Sequence, residues 1–215
     1  MTIHALPSYP LPQQPVSNKV DWLPQADRCA LLIHDMQDYF LSKYDVASEP
    51  IPQLIQNIAQ LKTLCKSLGI PVYYTAQPTE QAPADRALLN DFWGPGLTDS
   101  SQHHLQATTA ALAPDEDDIM LCKWRYSAFQ RSDFREQLRL AGRDQLIITG
   151  IYAHIGCLST ALEAFMQDIQ PFFTIDATAD FSLDEHLMAI KYVSQRCGVS
   201  LNCAQITQAL TAERK

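Results

Sequence analysis

The chain has 215 residues, of which 47% are hydrophobic and 19% charged, and its formal net charge is −8 at pH 7. This composition fits one globular domain with a substantial core and excludes a disordered chain or a fibrous repeat. The acidic balance speaks against a partner that is nucleic acid or an anionic membrane surface. No apolar run approaches the ~20 residues that cross a bilayer, and no signal peptide is recognisable, so a soluble, cytoplasmic protein is expected.

The chain divides into an arm and one domain. Residues 1–27 are predicted to form a Pro-rich N-terminal arm, because five prolines exclude a regular helix there. Residues 28–215 contain no linker, repeat or low-complexity segment and are predicted to be a single domain. Six cysteines without a CxxC spacing are expected to be mostly reduced thiols of the core.

Short apolar runs alternate with longer amphipathic segments after the arm. Most runs are continuous rather than alternating, which is typical of parallel strands buried on both faces. The predicted strands are 29–34, 71–75, 119–123, 145–149, 171–175 and 198–201.

Six amphipathic segments between the runs are predicted to be helices: 51–68, 102–112, 132–141, 157–169, 183–195 and 204–212. Gly69 is placed to end the first of them, and Ser182 with Glu185 forms a capping box for the fifth. The alternation of strand and helix predicts an α/β domain with a parallel sheet between two helical layers.

Chemically active side chains follow four of the predicted strands. Asp35 follows the first strand, Gln77 the second with Arg86 a little further on, Lys123 the third and Tyr152 the fourth. Ligands of open parallel sheets bind beyond the carboxyl ends of the strands. An acid, an amide, a phenol and two or three cations are therefore expected at one edge, the third cation being Arg125, which follows Lys123.

Each of these residues also has an ordinary structural interpretation. Asp35 could cap the following helix, Lys123 could extend to solvent from a strand end, and Arg86 could pair with a nearby acid. No GxGxxG, P-loop or HExxH motif occurs in the sequence, so neither a dinucleotide cofactor nor a metal is expected. At this point the residues alone leave the catalytic interpretation open.

Six segments resemble those of isochorismatases, in the same order and over nearly the whole chain: LLIHDMQDYF, VYYTAQP, RALLNDFWGPGL, KWRYSAF, RDQLIITGIYAHIG and ADFSLDEH. The likeness is to the siderophore-pathway branch of the cysteine-hydrolase-like superfamily. It implies a six-stranded parallel sheet of order 3-2-1-4-5-6. It also implies hydrolysis of isochorismate to 2,3-dihydro-2,3-dihydroxybenzoate and pyruvate, without cofactor or metal. A homodimer, with siderophore-assembly enzymes as further partners, is the family expectation.

The resemblance also implies roles for individual residues. Asp35 matches the general acid and Lys123 an essential lysine, whereas Gly156 stands where the wider superfamily has its nucleophilic cysteine. Side chains matching substrate-binding positions or forming apolar pocket walls are Gln77, Arg86, Tyr152, Phe40 and Trp93. Asp35 is expected to be ionised in the free protein and to gain its proton with the substrate.

Three expectations concern the chain after the fourth strand. The Ile151–Tyr152 peptide bond is expected to be cis, as in the family. Cys157 is one helical position from Gly156, a rotation of ~100°, and should point away from the pocket. The glycine itself is expected to leave volume for the substrate.

Alternatives remain for the function. The substrate could be 2-amino-2-deoxyisochorismate, as in the phenazine branch, or the fold could serve as a non-catalytic interaction module; a cysteine amidase is the weakest alternative. Many siderophore isochorismatases continue into an aryl-carrier domain. The sequence after the last predicted strand is too short for one, so no carrier domain is expected here.

Overall fold

The computed structural model describes residues 4–212. Its centre is a six-stranded parallel sheet of order β3-β2-β1-β4-β5-β6, as predicted. The strands are β1 Cys29–His34, β2 Val72–Ala76, β3 Ile119–Cys122, β4 Gln145–Ile151, β5 Gln170–Ala179 and β6 Val199–Leu201. The first predicted strand has the observed bounds, and the fifth is longer than predicted because β5 continues four residues past Ile175.

Eight α-helices of at least four residues connect the strands within the described range. They are α1 Asp38–Leu41, α2 Ile51–Ser67, α3 Pro83–Arg86, α4 Leu89–Trp93, α5 Phe134–Leu140, α6 Leu158–Met166, α7 Leu183–Arg196 and α8 Cys203–Thr211. Ser182 is the N-cap of α7, as predicted, since its side chain accepts a hydrogen bond from the Glu185 N–H. The Glu185 carboxylate accepts from the Ser182 hydroxyl at 2.9 Å, so the second hydrogen bond of the predicted capping box is replaced by a side-chain one. Within residues 4–212, no helix has the length and apolar character needed to cross a membrane.

The predicted helix over 102–112 is wrong. That stretch holds two 3-10 segments, Ser100–Leu105 and Ala110–Leu112. The intervening residues bridge to the end of β1 instead, because Thr108 pairs with Gln37 and the Asp38 N–H donates to the Ala107 carbonyl. These tertiary hydrogen bonds engage backbone N–H and carbonyl groups that a continuous α-helix would have needed for its own hydrogen bonds.

The core lies on both faces of the sheet, as the continuous apolar runs indicated. Along β1, Leu31 and Ile33 pack on one side with helices α2 and α8, whereas Ala30 and Leu32 pack on the other with α5, α6 and α7. Successive strand residues face opposite layers, which gives the three-layer α/β/α arrangement.

The described part of the arm, residues 4–27, contains no regular helix and packs on its own domain. The Tyr9 side chain is buried, and its hydroxyl accepts a hydrogen bond from the Asp180 N–H at 2.6 Å. Further along, the Lys19 N–H donates to the Ser194 carbonyl of α7. The arm thereby adds contacts around the ends of β5 and α7.

Candidate active site

A pocket opens where β1, β2, β3 and β4 end. It is lined by all eight residues that the sequence singled out: Asp35, Lys123, Gly156, Gln77, Arg86, Tyr152, Phe40 and Trp93. Together with the space at its open mouth, the pocket has a volume of about 590 Å³. Four further lining residues were not predicted, and these are Tyr39, Leu89, Tyr126 and Ile155.

Asp35 is fixed at the floor of the pocket by a bend at the end of β1. Its φ of 49° lies in the left-handed region, which aspartate tolerates better than most residues. The Lys123 Nζ donates to Oδ2 at 2.8 Å, and the Thr75 hydroxyl donates to Oδ1 at 2.6 Å. The capping interpretation of Asp35 is wrong, because Gln37 occupies the N-cap position of α1.

The environment of Asp35 favours the carboxylate. Burial alone raises its pKa, but the neighbouring His34 and Lys123 and the hydrogen bond from Thr75 lower the pKa by more, so the net shift is downward. At neutral pH His34 is uncharged, since burial lowers its pKa to about 4, and Lys123 remains as the opposing charge. An ionised Asp35 in the free protein is what the sequence predicted.

Arg86 brings a second cation into the pocket. Its side chain is buried, and Nε donates to the Gly94 carbonyl at 2.9 Å. Within residues 4–212 no carboxylate forms an ion pair with it, and burial lowers the pKa of the guanidinium. Since Lys123 is neutralised by Asp35, Arg86 leaves the pocket with an excess positive charge that suits an anionic ligand.

Gln77 is held through its backbone by a residue that the sequence analysis missed. The buried Gln37 accepts a hydrogen bond from the Gln77 N–H at 2.7 Å and donates to the Gln77 carbonyl at 3.0 Å. Gln37 also donates to the Gln106 carbonyl. The Gln77 side chain is thus left free to face the pocket, and a polar residue two positions after Asp35 was the only signal for this role.

Aromatic rings form the remaining walls. Phe40 and Tyr152 meet edge to face, and the Tyr152 hydroxyl donates to the Phe40 carbonyl at 3.0 Å. Burial raises the pKa of Tyr152 well above its usual value, so this phenol stays neutral. At the mouth, the Trp93 indole N–H donates to the Tyr126 hydroxyl at 2.9 Å.

The segment after β4 confirms two predictions and corrects one. The Ile151–Tyr152 peptide is cis, and one π-helical turn, Ala153–Cys157, follows it. Cys157 does not line the pocket; it is fully buried in the core beneath α6, and burial raises the pKa of its thiol. The expectation of free volume beside Gly156 is wrong, because a Cβ there would lie 2.1 Å from Cε1 of His34.

The fold and the site together define a three-layer α/β enzyme with a buried carboxylate–lysine pair and an unpaired arginine at the sheet edge. A profile described as an isochorismatase domain matches residues 29–205. The chain belongs to the isochorismatase family.

Relatives and solved structures are consistent with this assignment. The chain is 56% identical over 200 residues to enterobactin synthase component B of Escherichia coli K12, which covers 92% of this chain and 70% of that protein. It is 53% identical over 203 residues to an isochorismatase of Bacillus subtilis, covering 94% of this chain but 64% of that protein. A cysteine hydrolase from Pseudomonas syringae pv. phaseolicola has the same fold, with a TM-score of 0.76 at 20% identity over 94% of this chain and 97% of that one.

Proposed function

We propose that this protein is an isochorismatase, which hydrolyses the vinyl ether of isochorismate to 2,3-dihydro-2,3-dihydroxybenzoate and pyruvate. One observation carries the proposal: a buried carboxylate, Asp35, accepts a hydrogen bond from Lys123 at 2.8 Å in a pocket that Arg86 also lines. The similarity to a Bacillus subtilis isochorismatase supports the substrate.

The charges of the pocket fit a dianion once Asp35 is protonated. In the free protein Asp35, Lys123 and Arg86 sum to one positive charge. Isochorismate carries two carboxylates, and their approach raises the pKa of Asp35 and favours its neutral form. When Asp35 has gained a proton, Lys123 and Arg86 remain as two cations opposite two carboxylates.

Asp35 then acts as the general acid. It transfers its proton to the terminal methylene carbon of the enol ether, which leaves an oxocarbenium ion at the adjacent carbon. Water adds there, and the hemiketal collapses to pyruvate and the ring alcohol. General acid catalysis of this kind contributes ~10²–10⁴-fold, and no covalent enzyme intermediate is required.

The other predicted residues serve binding. Lys123 hydrogen-bonds the developing hemiketal as well as a carboxylate, and the Arg86 fork binds the other carboxylate. Gln77 orients the ring or the water. Phe40, Tyr152 and Trp93 form apolar walls that exclude bulk water, and Gly156 keeps any nucleophilic side chain away from the reacting carbon.

The reaction can be tested by isotope labelling. The protein is incubated with isochorismate in H₂¹⁸O, and pyruvate and the ring diol are analysed by mass spectrometry. Protonation at the methylene requires cleavage between the vinyl carbon and the ether oxygen, so the diol stays unlabelled. A labelled diol, or no pyruvate from folded protein, contradicts the proposal. A parallel incubation with 2-amino-2-deoxyisochorismate measures the competing phenazine-type activity.

The biological setting is proposed on the resemblance. The product supplies 2,3-dihydroxybenzoate for a catecholate siderophore, and the protein works in the cytoplasm as a homodimer alongside siderophore-assembly enzymes. Light scattering of the purified chain tests the dimer. We also propose that residues 28–215 form the hydrolase domain that carries this activity.

A further inference from the structure

His34 is the last residue of β1 and lies directly beneath the candidate site. Its side chain is fully buried, and Nδ1 lies 3.6 Å from the Asp35 Oδ2. It pairs with Gly150 of β4 on one side and Thr75 of β2 on the other. The imidazole is therefore at the centre of the sheet edge from which the catalytic groups project.

Two backbone carbonyls lie against the imidazole ring, and the single N–H of the neutral ring donates to one of them. Nδ1 is 2.8 Å from the Ile151 carbonyl, and Nε2 is 3.3 Å from the Tyr126 carbonyl. Ile151 immediately precedes the pocket residue Tyr152, and Tyr126 is itself a pocket residue. The ring thereby connects two pocket segments to the strand that carries Asp35.

Two of the seven glycines of the chain are required by His34. A Cβ at Gly150 would lie 2.2 Å from the His34 carbonyl oxygen, and one at Gly156 would lie 2.1 Å from Cε1 and 2.8 Å from Nε2. These separations are far below van der Waals contact. Because the ring is fully buried and its N–H is hydrogen-bonded to a backbone carbonyl, His34 cannot swing aside as a surface side chain would.

We propose that His34 is a positioning residue for the Asp35 chemistry and determines which side chains the pocket accepts at position 156. The imidazole occupies the space into which a side chain at position 156 would project. A nucleophilic cysteine therefore does not fit there, and the carboxylic acid of Asp35 is left as the reactive group of the pocket. The ring also lies against Asp35 and against the backbone carbonyls of Ile151 and Tyr126, and so fixes the positions of these segments. This proposal rests on the proposed function for its kinetic part only.

A double-mutant cycle tests the proposal. Asn at position 34 retains an amide near the place of Nδ1 but lacks Cε1 and Nε2, the two atoms nearest to the Cβ that alanine would add at 156. The four proteins are the wild type, Gly156→Ala, His34→Asn and the double variant. Pyruvate release and thermal unfolding are measured for each, and Cys157→Ala serves as the neighbouring control because Cys157 faces the core.

Gly156→Ala is expected to lower kcat/KM by about 100-fold and to lower the unfolding temperature, since its Cβ displaces a held ring. His34→Asn is expected to lower kcat by about tenfold with KM little changed, because Arg86 and Gln77 do not contact the ring. The double variant is expected to be at least about tenfold more active than Gly156→Ala and more heat-stable.

Three results overturn the proposal. The first is a Gly156→Ala enzyme of wild-type activity and stability, and the second is a double variant that fails to fold or is no better than Gly156→Ala. The third is a His34→Asn enzyme with wild-type kcat, which removes the positioning role. Thermal unfolding needs no substrate, so the coupling between the two positions is measurable even if isochorismate is not hydrolysed. A wild type inactive on isochorismate contradicts the proposed function alone.

Discussion

Asp35 and Lys123 bring opposite charges to the floor of the pocket, where both side chains are buried. Each charge neutralises the other, and the Thr75 hydroxyl donates a hydrogen bond to the second carboxylate oxygen of Asp35. Burying either charge alone would cost several kcal/mol, so the pair is stable only while both members are present. The same pairing keeps Asp35 ionised until a dianionic ligand offers Lys123 another partner.

Replacing Arg86 by Gln is expected to raise KM by about 10–100-fold with a smaller effect on kcat, because a charge-assisted hydrogen bond contributes about 1.5–3 kcal/mol. Steady-state kinetics of pyruvate release measures the effect. Arg125→Gln is the matched control, since that guanidinium donates to the Asp85 and Trp124 carbonyls and does not line the pocket. Equal KM changes in the two variants would show that Arg86 does not bind substrate.

At this scale the sequence identified the side chains but not what holds them. Asp35, Lys123 and Gln77 are recognisable because each lies at, or within two residues of, the carboxyl end of a predicted strand. Thr75, Gln37 and His34 are not, since their roles depend on contacts across neighbouring strands that no spacing along one chain reveals. His34 also precedes Asp35 within an apolar run, where a buried neutral histidine is the ordinary interpretation.

The π-helical turn Ala153–Cys157 is the element on which the pocket depends most. Asp180, fully buried at the end of β5, accepts hydrogen bonds from the His154 N–H at 2.6 Å and from its ring Nδ1. Burial lowers the pKa of His154, but Asp180 raises it by more, so the net shift is upward. One buried carboxylate thus connects this turn, which carries Ile155 and Gly156, to the sheet.

Asp180→Asn is expected to destabilise the protein by about 1.5–3 kcal/mol at pH 6, the usual contribution of a hydrogen bond to a charged group. A histidine with a raised folded pKa contributes stability that is full below about pH 6.5 and is lost as pH rises through its folded value. The deficit of the variant should therefore shrink at pH 9. Urea unfolding at both pH values measures it, with the exposed Asp184→Asn as control. A deficit that does not depend on pH would contradict the charged pair.

Helices and strands could be predicted where the hydrophobic periodicity extends over many residues and no tertiary contact overrides it. Helix α2 and strand β1 were found within a residue of their bounds for that reason. One short helix is predicted over 85–93, the sequence DRALLNDFW, and the structure divides this stretch between α3 and α4. The break falls at Ala87, whose φ of 48° lies outside the right-handed helical region. Residues 102–112 were misassigned because Gln37 and Thr108 hold the backbone of this loop, and only the folded sheet brings them together.

For the whole molecule, two buried neutral histidines contribute to the loss of stability in acid. Burial lowers the pKa of His34 to about 4 and that of His186 to about 3, from an ordinary value of 6.5. Both bind protons more readily when the chain is unfolded. Their contribution is therefore full above about pH 6.5 and is lost as pH falls towards 4 and 3.

The free energy of unfolding is expected to fall between pH 6.5 and 4 by about 1.4 kcal/mol per pH unit for each of these histidines. Urea unfolding at several pH values gives the slope. His186→Gln should reduce the slope, whereas His103→Gln on the exposed 3-10 segment should not. If His186→Gln shows the same slope of unfolding free energy against pH as the wild type, His186 does not contribute to the loss of stability in acid.

The measurement that tests the central claim most directly is pyruvate release from isochorismate by the wild type and by Asp35→Asn, coupled to lactate dehydrogenase. Cys157→Ala is assayed beside them as the control for the thiol next to the pocket residue Gly156. The account predicts that Asp35→Asn loses at least about 100-fold in kcat while still binding substrate, and that Cys157→Ala stays near the wild-type rate. An Asp35→Asn enzyme near the wild-type rate, or a Cys157→Ala enzyme that is inactive though folded, would contradict Asp35 as the general acid.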